Sequence, residues 1–245
     1  AHSGTSARSL WPLKWKSPTK GTFFELKNSA GIVTTGLCAA FAPNDAVSFG
    51  AGLNVLYGKI RSQTNAVNTP APLLGDSSTS LIEGDGWGTE GVFSVRVDPN
   101  PQWSAAGVYR TGGDIGIRGR ATASSGFLGS EVSGFKYGLN HPPTLDLGAA
   151  WRPAEGWTLS FDAHRTFWKR FTNEIIFDSP ANLLKNSPNS FRWKDVWKWR
   201  FGLAKRLNPK LELLAGYSLD RPAVNAASVD FATAIDVPMH RLTGG

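Results

Sequence analysis

The 245-residue chain has one cysteine, Cys38, and one methionine. A lone cysteine excludes an internal disulfide framework and any zinc or iron–sulfur site built on several thiolates. The four histidines, His2, His141, His164 and His240, are scattered and form no HExxH or similar ligand pair. No metal and no cofactor is expected. Also missing is any run of about 18 consecutive apolar residues, which excludes a transmembrane helix but not membrane-crossing β-strands of about 10 alternating residues each. No basic segment leading into an apolar one opens the chain, so no signal peptide is expected. Dense Lys/Arg runs are absent too. The formal charge is +7, yet the most basic stretch, Trp193-Lys194-Asp195-Val196-Trp197-Lys198-Trp199-Arg200, is interleaved with tryptophan. Basic and aromatic residues together suit a membrane-interface belt as well as a single-strand stacking platform. Without a basic run, nucleic acid is not expected as a partner.

What is present is alternation. Val47, Phe49, Ala51, Leu53, Val55 and Tyr57 share one face of a strand, opposite Ser48, Gly50, Gly52 and Asn54, with Leu56 as the exception. The same period recurs at Phe93–Val97, Leu145–Trp151, Trp157–Ala163 and Leu211–Leu219. Period two without a competing helical period predicts an all-β chain. Ile32 to Phe41 reads as a weaker strand. Gln102 to Ala123 reads as one long strand interrupted at Thr111-Gly112-Gly113-Asp114, where a bulge or kink fits. The first 20 residues lack alternation and read as loop. About nine strands result.

Turn signals at Pro43, Pro99, Pro153 and Pro209 recur at spacings of 56, 54 and 56 residues. Each sits between two strand patterns, as tight hairpin turns do. Longer polar stretches, Arg61–Asp85 and Asp178–Ser190, connect the other ends. Short turns at one end and long loops at the other mark an antiparallel up-and-down transmembrane β-barrel of the bacterial outer membrane. Trp157 to Phe167 covers about 33 Å of strand, or roughly 25 Å of height at a tilt of about 40°. Aromatics cluster near the tight turns (Phe41, Trp103, Trp151, Trp157) and near the loop ends (Tyr57, Trp87, Trp168, Trp193, Trp197), as two interfacial belts would. Arg165 lies on the apolar face close to a loop end, within reach of snorkelling. The competing architecture is a soluble or surface-exposed β-rich carbohydrate-binding module whose tryptophans stack on sugars.

With the apolar face outward, parity assigns Ser94, Arg96, Asp146, Asp162, His164, Arg200 and Glu212 to the lumen. Arg96, Asp162, His164 and Arg200 are its candidate polar site residues, either guiding a carboxylate headgroup or fixing register through charge pairs. Ser160, Asp162 and His164 share a face, but residues two apart on a strand are about 7 Å apart, too far for a nucleophile–base contact of about 3 Å. No catalytic residues and no enzyme activity are expected.

The order of several segments is familiar. Ala46-Val47-Ser48-Phe49-Gly50-Ala51-Gly52-Leu53 is followed by Pro142-Pro143-Thr144-Leu145-Asp146-Leu147-Gly148 and by the Trp157–Trp168 strand. Then come Trp193–Trp197, Phe201-Gly202-Leu203-Ala204, Leu213–Asp220 and Arg221-Pro222-Ala223-Val224. From about residue 30 onward the chain resembles the FadL family of outer-membrane transporters for long-chain fatty acids and aromatic hydrocarbons. The resemblance implies a monomeric barrel of about fourteen strands with an N-terminal hatch, of which this chain is an internal fragment: residues 1–30 an extracellular-loop segment and strand lead-in, and residues 31–245 barrel strands and loops. It implies passive transport of a hydrophobic small-molecule ligand in contact with outer-membrane lipid and lipopolysaccharide. Family members capture ligands on extracellular loops, which here makes Trp11, Leu13, Trp15, Phe23 and Phe24 the candidate substrate-binding residues.

Overall fold

The computed structural model describes residues 2–16, 24–67, 77–171, 173–189, 193–224 and 237–245. The fold grows from alternating strands closed by a repeated turn device. Strands β2 (Phe24–Asn44) and β3 (Val47–Val67) meet at a turn in which Asn44 Oδ1 accepts the backbone N–H of Ala46 and of Val47, both at 2.9 Å. Between β4 (Ser77–Asn100) and β5 (Trp103–Arg110), Asn100 Oδ1 accepts from Gln102 and Trp103 at 3.0 Å. Asn208 Oδ1 accepts from Lys210 at 2.9 Å in a third such turn. These side chains satisfy donors that the ladder cannot reach. At the fourth tight turn, Gly156 supplies the positive φ of 73°.

The strands form one fourteen-stranded sheet, antiparallel throughout. β1 (His2–Lys16) pairs with β2, β2 with β3, and β3 with β4. The lower half of β4 pairs with β5, and β5 with β8 (Thr144–Trp151). The meander continues through β9 (Trp157–Thr166), β12 (Val196–Asn208), β13 (Leu211–Asp220) and β14 (Met239–Gly244). The upper half of β4 pairs instead with β6 (Gly113–Ser125), followed outward by β7 (Gly129–His141), β10 (Asn173–Phe177) and β11 (Ser187–Asn189). Among the described residues no pairing joins β1 to β14, and the only helical element is the 3₁₀ turn Trp168–Arg170.

Four expectations change. The described residues form fourteen strands, not about nine, because segments read as loop supply strands and Gln102–Ala123 divides into β5 and β6. Residues 2–16 are strand, not loop; their ladder shifts register between Leu10 and Leu13, where Pro12 has no N–H to donate. The stretch Arg61–Asp85 is not all loop, because β3 runs on to Val67 and β4 starts at Ser77. Within Asp178–Ser190, residues Ser187–Asn189 form β11. The break expected within Gln102–Ala123 is present: β5 ends at Arg110, Gly112 takes a φ of 69°, and β6 begins at Gly113.

That break turns the strand over. Val92 pairs with Arg110 and Trp87 with Gly116, so four residues of β4 face five of the neighbouring chain. One extra residue exchanges the two faces. In β5 the odd-numbered Trp103 and Tyr109 are exposed, whereas in β6 the odd-numbered Ile115, Ile117 and Ala121 are buried. The partner chain inverts at Pro142-Pro143 between β7 and β8. Thr111 closes the gap: its N–H donates to the Gly91 carbonyl at 3.0 Å, and its hydroxyl accepts from Gly91 N–H at 2.9 Å.

Two faces of the sheet follow. The outer face exposes Phe49, Leu53, Trp87, Phe93, Leu147 and Phe201, with Leu53 57% and Trp87 64% exposed. A water-facing surface of this size covered in large apolar side chains is untenable, and lipid is its natural solvent. The inner face carries glycines at close backbone approaches. Gly84, Gly86 and Gly88 of β4 follow one another on it: a Cβ on Gly84 would lie 2.5 Å from the Arg118 carbonyl oxygen, and one on Gly86 would collide with that of Gly116. These glycines let β6 fold back over β3 at a sharp corner.

Candidate functional site on the inner wall

Along β3 the inward residues read Ser48, Gly50, Gly52, Asn54, then Leu56, Gly58, Ile60. On β4 they read Arg96, Ser94, Val92, Glu90, then Gly88, Gly86, Gly84, Ile82. The wall is thus mostly polar near the tight turns and apolar toward the long loops, and it changes at Asn54 and Glu90, which are register partners. Leu56, the residue that broke the alternation, is the first inward apolar side chain above that line.

Above the line, Leu56, Ile115, Ile117, Ala121, Ala123, Phe135, Phe177 and Leu184 form one buried cluster, flanked by Ile60, Ile82, Tyr137 and Ile175. Ile115 lies on Gly58: a Cβ there would be 3.0 Å from Ile115 Cγ2, so β3 has no side chain at that point. The loop that delivers Leu184 is fixed by Glu131, whose carboxylate accepts the N–H groups of Asn182, Leu183 and Leu184 at 3.0, 2.9 and 2.9 Å.

At the line itself, Glu90 is 2% exposed at its side chain. It stands where β4 has left β5 and not yet met β6. Its carboxylate accepts from Asn54 Nδ2 at 2.9 Å and meets His141 Nδ1 at 3.1 Å, with Arg110 Nη1 at 3.6 Å. A buried carboxylate is costly unless surrounded in this way. Four strands contribute one residue each, so the group ties the corner together from inside. Sequence reading did not select Glu90, Asn54, His141 or Arg110 as a site. The available signal was an acid continuing the inward series Gly84, Gly86, Gly88.

Lower on the wall, His164 hydrogen-bonds Asp146 through Nδ1 and lies 3.0 Å from Thr166 Oγ1 through Nε2. Its two nitrogens are therefore turned away from Ser160. Lys198 pairs with Asp220 at 3.6 Å. The register places Asp162 opposite Gly148 on one side and Arg200 on the other, and sets Arg96 opposite Ser48 and Ala106, all on the inner face. Arg96 turns to Asp98 at the rim, Nε to Oδ2 at 2.7 Å, and this hydrogen bond holds the Asp98 carboxyl below the usual carboxylate range. Arg96, Asp162, His164 and Arg200 share a wall, but they do not converge on one point. Among the described residues no three of His, Cys, Asp and Glu come together as metal ligands.

Of the loop candidates, Trp11, Leu13 and Trp15 belong to β1 and Phe24 opens β2, with their side chains outside the described residues; Phe23 lies outside them altogether. Arg165 does point to the outer face, where Asp195 accepts from its Nη2 at 3.2 Å and its guanidinium lies 4.6 Å from the Phe167 ring. An ion pair and a ring thus receive that charge within the protein. The belts are real neighbours: Trp103 stacks on Trp151 at 5.4 Å near the tight turns, and Tyr57 meets Trp87 at 4.7 Å near the loops.

Known proteins share this architecture. The chain superposes on the TodX deltaS2S3 mutant, a monoaromatic hydrocarbon channel, with a TM-score of 0.72 and 16% identity over 99% of this chain and 69% of that one. A Pseudomonas aeruginosa FadL homologue gives a TM-score of 0.69 at 16% identity over 93% and 58% of the two chains. The P. putida toluene transporter TodX gives 0.69 at 16% identity over 91% and 65%. The chain thus spans 58–69% of the length of these structures. No curated protein sequence matches it significantly. The model of the outer membrane protein transport protein family (OMPP1/FadL/TodX) matches residues 12–239. The chain therefore belongs to the OMPP1/FadL/TodX family of outer-membrane transport proteins.

Proposed function

We propose that this protein passes hydrophobic small molecules, of the class of long-chain fatty acids or aromatic hydrocarbons, through the bacterial outer membrane without covalent chemistry. The observation that carries this reading is the change of the inner wall at Leu56. Inside a water-filled pore both halves of the wall would be polar. Here the inner face nearer the long loops carries a packed, buried apolar cluster that includes Leu56, Ile115, Ile117 and Phe135 in place of polar side chains. The hydrophobic side chains of the leading segment, Trp11, Leu13, Trp15, Phe23 and Phe24, are the proposed capture residues. Of the polar residues below, Arg96 or Arg200 would offer an anionic headgroup a counter-charge, with Asp162 and His164 on the same wall. The protein acts as a single barrel.

The test is uptake by cells lacking their own transporters of this kind, comparing oleate, toluene and glucose. Accelerated entry of oleate or toluene, with glucose unchanged, supports the proposal. Equal acceleration of all three makes the protein a general pore and overturns it.

A further inference from the structure

The face opposite the apolar cluster carries charge that nothing above uses. Beyond the Tyr57–Trp87 contact the outward residues change type abruptly. The next register row across β3, β4, β6 and β7 is Lys59, Asp85, Arg118, Lys136, and the row after that is Arg61, Glu83, Arg120, Gly134. Five cations thus share one face with three carboxylates, Asp85, Glu83 and that of Asp178, which lies against Gly134. Arg61 approaches Glu83 at 3.9 Å, while Lys59, Arg118, Arg120 and Lys136 have no ion-pair partner among the described residues.

Their height matters. Lys59 and Arg61 lie two and four residues beyond Tyr57, about 7 and 13 Å along the strand and roughly 5 and 10 Å above the belt at a tilt of about 40°. Lipid headgroups occupy that layer. Lys59, Arg118, Arg120 and Lys136 are all exposed on this face. On the opposite side of the sheet at the same level, Ile115 and Ile117 are buried, so these cations have no inward alternative. At the tight-turn end, Lys205 lies over the Trp157 ring at 4.6 Å and Arg96 is bound to Asp98, so these two cations are engaged.

From this placement we infer that Lys59, Arg118, Arg120 and Lys136 form a docking face for the phosphate groups of an outer-leaflet phosphorylated glycolipid. Juxtamembrane cations gain from anionic headgroups in proportion to their number near the surface, and guanidinium groups bind phosphate oxygens through paired donors. Acyl chains of the same lipid would lie along the exposed Val55, Trp87 and Leu53 below. The inference rests on the outer-membrane setting and not on the transported solute.

The experiment is native mass spectrometry of the intact purified protein in detergent, with added bisphosphorylated lipid A, monophosphoryl lipid A, phosphatidylcholine or inorganic phosphate. The expected order of retention is bisphosphoryl, then monophosphoryl, then phosphatidylcholine. The triple substitution Lys59→Gln, Arg118→Gln, Lys136→Gln should lower bisphosphoryl lipid retention about tenfold or more. The charge-conserving set Lys59→Arg, Arg118→Lys, Lys136→Arg should keep it within about threefold. Lys205→Gln with Lys210→Gln, at the other rim, should leave it unchanged. Should the triple variant lose its heat-dependent gel shift, Lys136→Gln and Lys136→Glu carry the comparison, with the larger loss expected for Glu. Retention of lipid by the folded charge-depleted variants, equal retention of phosphatidylcholine, or displacement by millimolar inorganic phosphate would each overturn the inference.

Discussion

Asn54 donates its side-chain amide to Glu90 at 2.9 Å, across the β3–β4 pair, at the level where the inner wall changes from polar to apolar. The pair is both a register lock and the floor of the apolar cluster. Asn54→Ala removes one donor from a buried carboxylate and should cost about 1–3 kcal/mol of unfolding stability. Urea unfolding in lipid vesicles, followed by tryptophan fluorescence, measures this. Glu90→Ala combined with Asn54→Ala should cost less than the sum of the two single changes, because both remove the same contact.

The corner in the sheet predicts a contrast between neighbouring glycines. Gly86 points into the fold against the Gly116 backbone, whereas a Cβ on Gly116 itself meets nothing within 4 Å. Gly86→Ala should destabilise by about 2 kcal/mol or more through backbone displacement, and Gly116→Ala should stay within about 0.5 kcal/mol. The temperature at which the gel shift disappears ranks the two variants.

The outward apolar face predicts an asymmetric response to charge. Leu53→Arg places a guanidinium on the exposed face between the belts and should cost about 2–4 kcal/mol in a bilayer. Ser94→Arg, on the inner face, should cost much less. Lipid-phase photolabelling should mark Phe49, Leu53 and Phe161 in preference to Ser48, Asn54 and Ser160. The reverse pattern would place water on the wrong side of the sheet.

Glu131 predicts a separable loop. Its carboxylate receives three consecutive backbone N–H groups, so Glu131→Ala leaves all three without their acceptor. A loss of about 2 kcal/mol or more in local stability is expected, read as faster amide exchange at Asn182–Leu184 with exchange in β12 and β13 unchanged.

The parts legible in the sequence are those where one face meets lipid and the other water. Val47–Val55 and Trp157–Ala163 alternate cleanly because the bilayer enforces it, and the prolines and asparagines of the tight turns mark where each strand leaves the membrane. The upper parts of β3 and β4 were hidden because above the Tyr57–Trp87 contact the outward side chains are charged, so the contrast between faces no longer follows the bilayer rule. The irregular residue Leu56 was visible but not interpretable: its meaning depends on Ile115 and Gly113, which arrive from a strand more than fifty residues later. Glu90 was obscured in the same way, since a single acid among glycines acquires partners only when β3, β5 and β7 are brought beside it.

The extra residue between Arg110 and Gly116 has a further consequence. It allows one continuous stretch of chain to be sorted twice, by oil below and by a packed interior above, without changing its hydrophobic period. Removing a single residue there would send Ile115, Ile117 and Ala121 to the outer face and turn Arg118 and Arg120 inward toward Leu56. Which side chains meet the interior of this sheet is thus set by a count of residues as much as by their kind.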